Sequence, residues 1–92
     1  MEEKFLTLHP QGKKGVNINK AKYETMKTAI LDLLGKGELN HNELTAAVQK
    51  KLKGKFEGSI PWYMEGTKLD LEARGMIKRV EGEKYQVYRV RR

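Results

Sequence analysis

The 92-residue sequence contains no cysteine, two prolines, one tryptophan and two histidines. Without cysteine there is no disulfide and no thiolate ligand for a metal. His9 and His41 are far apart in the chain, and neither belongs to a metal-binding or nucleophile spacing. No apolar run approaches the ~20 residues that span a bilayer. The start, Met1-Glu2-Glu3-Lys4, lacks a signal-peptide core, so the expectation is a cytoplasmic protein with no membrane partner. Gly12-Lys13-Lys14-Gly15 lacks the remaining glycines, the strand and the Ser/Thr of a P-loop. Asp70 and Glu72, two apart on a predicted helix, point in different directions and form no carboxylate dyad. These absences argue against an enzyme, and neither a metal nor a cofactor is expected.

What the sequence has is charge and enough apolar residues for one core. Hydrophobic residues make up 38% of it, which favours a globule over a disordered chain. The length suits one domain, because two separate cores would each be too small. Nineteen Lys and Arg against twelve Asp and Glu leave a formal charge of +7. A surface of that sign attracts nucleic acid or another polyanion. The alternative is that the lysines serve only solubility.

Along the chain, residues 2–18 are not helix-like. Phe5, Leu6 and Leu8 form a short apolar patch, a turn or loop follows over 9–15, and Val16 and Ile18 look extended and half buried. This gives an ordered N-terminal extension over 1–18, packed on a domain over 19–92. Asn19 is a good cap for a first helix carrying Tyr23, Met26, Ile30, Leu33 and Leu34 on one face, ended by Gly35 and Gly37. Asn40 and Glu43 have capping-box spacing for a second helix, with Leu44, Ala47, Val48 and Leu52 inward. Ser59 caps a third helix with Pro61 in its first turn; it runs to about Arg74 and is closed by Gly75. Residues 76–80 and 84–90 are β-rich, and Glu81-Gly82-Glu83 supplies a hairpin turn.

The order of three helices and a hairpin, together with Leu71-Glu72-Ala73-Arg74-Gly75-Met76-Ile77-Lys78-Arg79-Val80, resembles the winged helix-turn-helix superfamily. The resemblance implies an α+β, mainly helical domain: three helices plus a C-terminal two-stranded β-wing. The whole chain also resembles an uncharacterised family of short bacterial proteins. Members share a start like His9-Pro10-Gln11-Gly12-Lys13-Lys14-Gly15-Val16-Asn17-Ile18, a following Tyr23, and a segment like Trp62-Tyr63 leading into 68–75. That likeness supports the fold and implies no particular activity.

A winged helix on DNA lays its third helix in the major groove and its wing on the backbone or minor groove. Double-stranded DNA is therefore the expected partner, and a DNA-associated regulator or accessory factor the expected role. Candidate phosphate contacts are Lys13 and Lys14 in the glycine-flanked loop, and Lys50, Lys51, Lys53 and Lys55 at the end of the second helix. Lys78, Arg79, Lys84 and Arg89 on the wing join them. Ser59 and Tyr63 sit at the start of the third helix, and Lys68 lies within it. Arg74 is expected to neutralise the helix end or pair with a nearby acid.

The third helix complicates this reading. Lys68 and Arg74 are outnumbered by Glu65, Asp70 and Glu72, so its surface is expected to be slightly acidic. At about 100° per residue, Ile60, Met64, Thr67 and Leu71 share a core stripe, while Trp62, Gly66, Leu69 and Ala73 fall nearly opposite. A helix apolar on two faces is usually covered on both. The cover could be the N-terminal segment or a second subunit, or the second stripe could stay half exposed. The rival function is therefore a protein-interaction or homodimer surface at Trp62, Leu69 and Ala73.

Overall fold

Asn19 ends one element and begins the next. In the computed structural model, which describes residues 3–9, 11–81 and 86–91, its side-chain oxygen accepts from Lys22 N at 3.0 Å. That bond caps helix α1 (Lys20–Gly35). Ahead of it, strands β1 (Lys4–Leu6) and β2 (Asn17–Asn19) pair antiparallel, with Phe5 opposite Ile18. The N-terminal extension is thus a hairpin. Thr7 N donates to Val16 O at 2.9 Å, and Val16 N donates to the Thr7 hydroxyl at 2.9 Å. Gly15 makes this closure possible: a Cβ there would lie 1.7 Å from Thr7 O. Phe5 is half buried and Ile18 fully buried, but Leu6, Leu8 and Val16 are exposed, correcting the expectation of a half-buried Val16.

A two-residue strand, β3 (Leu39–Asn40), leads into helix α2 (His41–Leu52) through the expected capping box. Asn40 Oδ1 accepts from Glu43 N at 2.8 Å, and Glu43 Oε1 accepts from Asn40 N at 2.9 Å. Helix α3 (Ile60–Ala73) starts at the Ser59 cap with Pro61 in its first turn. It ends at Arg74, and Gly75 takes φ 75°, the left-handed conformation that glycine adopts without penalty.

Strands β4 (Ile77–Glu81) and β5 (Gln86–Val90) form the C-terminal hairpin; its turn lies outside the described residues. The expected two-stranded hairpin is present, and a strand not expected from the sequence extends it. β3 pairs antiparallel with β5, giving a three-stranded sheet in the order β3-β5-β4. Two residues are too few to show a period of two in the sequence, so β3 could not be read there.

The core lies where the three helices meet this sheet. Met26, Ile30 and Leu34 of α1, Leu44, Val48 and Leu52 of α2, and Met64 and Leu71 of α3 close on Ile77 and Tyr88. Each such side chain, fully buried, contributes about 1.5–3 kcal/mol of transfer free energy. Ala29 joins the α1 stripe, whereas Leu33 and Ala47 are only half buried. The result is an α+β domain of three helices and two small antiparallel sheets.

Candidate nucleic-acid interface

Helix α3 is held from both sides, and the hold on its second side is polar. Asp70 has no exposed surface. Its carboxylate accepts from the Tyr23 hydroxyl at 2.5 Å, from Arg74 Nε at 2.9 Å, and from Leu8 N at 2.8 Å. One side chain thereby ties α3 to α1 and to the N-terminal hairpin. Burial, reinforced by the adjacent Asp70 carboxylate, pushes the Tyr23 phenol well above its ordinary pKa. The Arg74 guanidinium is raised, chiefly by its hydrogen bond to Asp70. Phe5 stacks on Tyr23 at 4.1 Å between centroids, and Arg74 lies over the other ring of this pair, Phe5, at 5.0 Å. Arg74 therefore pairs with a nearby acid, one of its two expected roles.

The second apolar stripe of α3 is partly covered by the chain itself. Val16 packs at Gly66, where an added Cβ would meet it at 3.7 Å, and Leu69 and Ala73 are half buried. Trp62 remains 51% exposed.

Lys68 must be withdrawn as a phosphate contact. It is 2% exposed, and its ammonium donates to the Tyr88 hydroxyl at 3.0 Å and lies 3.1 Å from His41 Nδ1. Glu65 approaches it at 3.6 Å. The expected acidic surface of α3 is corrected by the same pairings. Asp70 is buried against Arg74, Glu72 bonds Arg79 at 3.0 Å, and Glu65 faces Lys68 and His41. Each acid of the helix has a cationic or imidazole neighbour, and Arg79 adds one cation from outside the helix.

The remaining lysines follow two stretches without acids. Residues 4–23 contain five lysines and residues 44–56 contain four, with no Asp or Glu in either. The stretches meet at the turn between α2 and α3, where the exposed Glu57 follows the second of them. Lys22 Nζ lies 5.2 Å from the Tyr63 ring centroid and 5.9 Å from that of Phe56. Phe56 and Tyr63 pack edge to face at 5.1 Å, and Trp62 packs edge to face on Tyr63 at 4.9 Å. Gly58 lets this cluster close: its φ is 115°, and a Cβ there would lie 3.0 Å from Tyr63 Cε2. The exposed Lys53 and Lys55 flank the same turn, and Ser59 caps the helix that follows. Among the described residues, Lys13, Lys14, Lys22, Lys50, Lys53 and Lys55 make no ion pair. Lys51, by contrast, holds Asp32 at 2.7 Å and keeps that carboxyl below its usual pKa.

The C-terminal hairpin is less available than its composition suggests. Arg79 is engaged by Glu72 and Gln86, and Arg89 lies 3.6 Å from Glu38. Lys78 and Arg89 stand directly opposite each other across β4 and β5, a like-charge pair whose repulsion Glu38 offsets at Arg89. With Lys36 and Glu38 they line a cleft of about 510 Å³ between the end of α1 and the hairpin. Lys84 lies outside the described residues.

Lys22 and Phe56 are the members of this surface that the sequence reading missed. The acid-free runs are visible in the sequence, but their meeting point depends on how α1 crosses the α2–α3 turn. Among the described residues no group of three or more His, Asp or Glu is placed to hold a metal ion. No helix among them is long and apolar enough to cross a membrane.

Geometry and sequence thus define a small α+β domain with one lysine-rich, aromatic-braced surface. Residues 4–88 match DUF6958, a family of unknown function, and the chain belongs to that family. Neither the curated proteins nor the solved structures contain a match to it.

Proposed function

We propose that this is a DNA-binding winged-helix domain, a regulator or accessory factor without catalytic activity, that grips the sugar-phosphate backbone. The observation that carries the reading is the convergence of two acid-free, lysine-rich stretches at the α2–α3 turn. The fold assignment is supported by the element order helix, short strand, helix, helix, hairpin, and by the pairing of β3 with β5. Lys22, Lys50, Lys53 and Lys55 supply the main contacts, with the Lys13–Lys14 loop and the hairpin pair Lys78 and Arg89 beside them. Ser59 and Tyr63 orient the first turn of α3 toward a phosphate, where the positive end of the helix dipole favours an anion.

Each neutralised phosphate releases counterions, so log affinity falls against log salt with a slope of about −0.9 per contact on duplex DNA. Four or five simultaneous contacts give an expected slope of about −4. Fluorescence anisotropy of labelled duplex and single-stranded DNA between 50 and 300 mM salt measures it, values on the order of those at which such binding is strongly salt-dependent. Absence of binding to either form at the lowest salt overturns the reading.

A second reading has its own observation. Leu6, Leu8, Val16 and Trp62 are exposed large apolar side chains. Their exposure favours a protein-interaction or homodimer surface near Trp62, Leu69 and Ala73.

A further inference from the structure

The exposed surface of α3 has almost nothing with which to read a base pair from its edge. Direct readout in a groove uses Arg or Lys on guanine, Asn or Gln on adenine, Glu or Asp on cytosine, and shorter hydroxyls. The acids of α3, Glu65, Asp70 and Glu72, are already engaged by Lys68, Arg74 and Arg79. Between Ile60 and Ala73 there is no Arg, Asn, Gln or Ser. The one lysine, Lys68, and the one threonine, Thr67, are both buried. What α3 presents at its first turn is Trp62, an indole 51% exposed and braced edge-on by Tyr63, which Phe56 braces in turn. Around that indole the cations outnumber the acids: Lys22 lies over the Phe56 and Tyr63 rings, and Lys53 and Lys55 precede Phe56 in the turn. Against them stand the exposed Glu57, just after Phe56, and Glu65, which faces Lys68 and His41. A cationic track beside a rigid exposed aromatic face suits a polyanion that also offers flat apolar rings. Single-stranded nucleic acid has both properties, because its unpaired bases stack on aromatic side chains without sequence preference. In a continuous duplex the base faces are occupied by one another. An acidic protein would match the charge but not the braced ring, and a second copy of this chain would bring seven net positive charges against seven.

We infer that Trp62 is a stacking platform for an unpaired base, so that the preferred ligand is a single-stranded DNA segment tracked by Lys22, Lys53 and Lys55. The inference rests on the DNA-binding reading above and narrows it.

Trp62 is the only tryptophan in the chain, so its emission reports its own environment. The full chain is titrated at low salt with a thymidine oligonucleotide and with a blunt duplex of the same length. Trp62 emission and the anisotropy of the labelled DNA are read together. The expected result is quenching of Trp62 by the single strand and tighter binding of the single strand than of the duplex. Trp62→Ala is expected to weaken single-strand binding about tenfold, within the range that base stacking contributes, with the salt slope unchanged. Trp62→Phe keeps a π face and is expected to restore part of the affinity. Circular dichroism of both variants separates loss of stacking from loss of fold. Equal binding of both DNA forms without quenching, or an unchanged affinity in folded Trp62→Ala, overturns the inference and leaves the backbone-binding reading intact. A failure of both DNA forms to bind overturns both. A Trp62 emission change that tracks protein concentration without DNA assigns the indole to a second copy of the chain and also overturns the inference.

Discussion

Replacing Asp70 with alanine is expected to cost about 3 kcal/mol of stability or more. The carboxylate is fully buried and accepts from Tyr23, Arg74 and Leu8. The Arg74 side chain is 37% exposed and can turn to water when its partner is lost. The Tyr23 hydroxyl, on a residue 2% exposed, has no such escape, whereas Leu8 is itself exposed. Each buried donor left unsatisfied costs about 1–3 kcal/mol. In a domain this small a loss of about 3 kcal/mol lowers the melting temperature by roughly 12–24 °C. Thermal and urea unfolding followed by circular dichroism measure it, and a loss below about 1 kcal/mol contradicts the role given to Asp70.

The same contact sets an alkaline limit. A tyrosine in the unfolded chain ionises near pH 10, whereas burial and then Asp70 raise the pKa of Tyr23 in the folded chain. The folded-state value is the higher one, so the stability linked to this group is complete below pH ~10. It is lost as pH rises above that value, because the unfolded chain sheds its proton first. Tyr23→Phe is expected to lose about 1 kcal/mol at neutral pH and to flatten this alkaline decline.

The second large effect concerns binding. Lys53→Glu/Lys55→Glu is expected to weaken DNA binding on the order of a hundredfold near 0.1 M salt, because each phosphate contact contributes about 0.9 of a decade between 1 M and 0.1 M. The salt slope should become shallower by about two contacts. Both residues are exposed and make no ion pair among the described residues, so the fold should survive. Reversing Arg79, already engaged by Glu72, is expected to change binding far less. An equal loss at Arg79 would place the contact surface on the hairpin.

Local signals carried most of the fold. The caps at Asn19, Asn40 and Ser59 and the left-handed stop at Gly75 each depend on residues within a few positions of one another. They were therefore legible. Strand β3 was not, because its pairing with β5 joins Leu39 to Tyr88 across the length of the domain. The burial of Lys68 and Asp70 was missed for the same reason. On a helical wheel both are polar residues beside a core stripe, and their partners Tyr88, Tyr23 and Leu8 are far away in sequence. The candidate surface divides along the same line. Lys53, Lys55, Ser59 and Tyr63 are neighbours along the chain and could be read together. Lys22 and Phe56 join them only through the crossing of α1 over the α2–α3 turn. Charge by residue type also overstated the hairpin, since composition does not show that Glu72 and Glu38 sit against Arg79 and Arg89.

Backbone amide shifts of the 15N-labelled chain, recorded during a low-salt titration with DNA, locate the contact surface most directly. The expected map has its largest changes at Lys22, at 53–63 and at the Trp62 indole, smaller ones at Lys13 and Lys14, and little change along the buried side of α3. Changes confined to β4 and β5, or no changes at all with DNA in excess, would contradict a DNA-binding surface centred on the turn between α2 and α3.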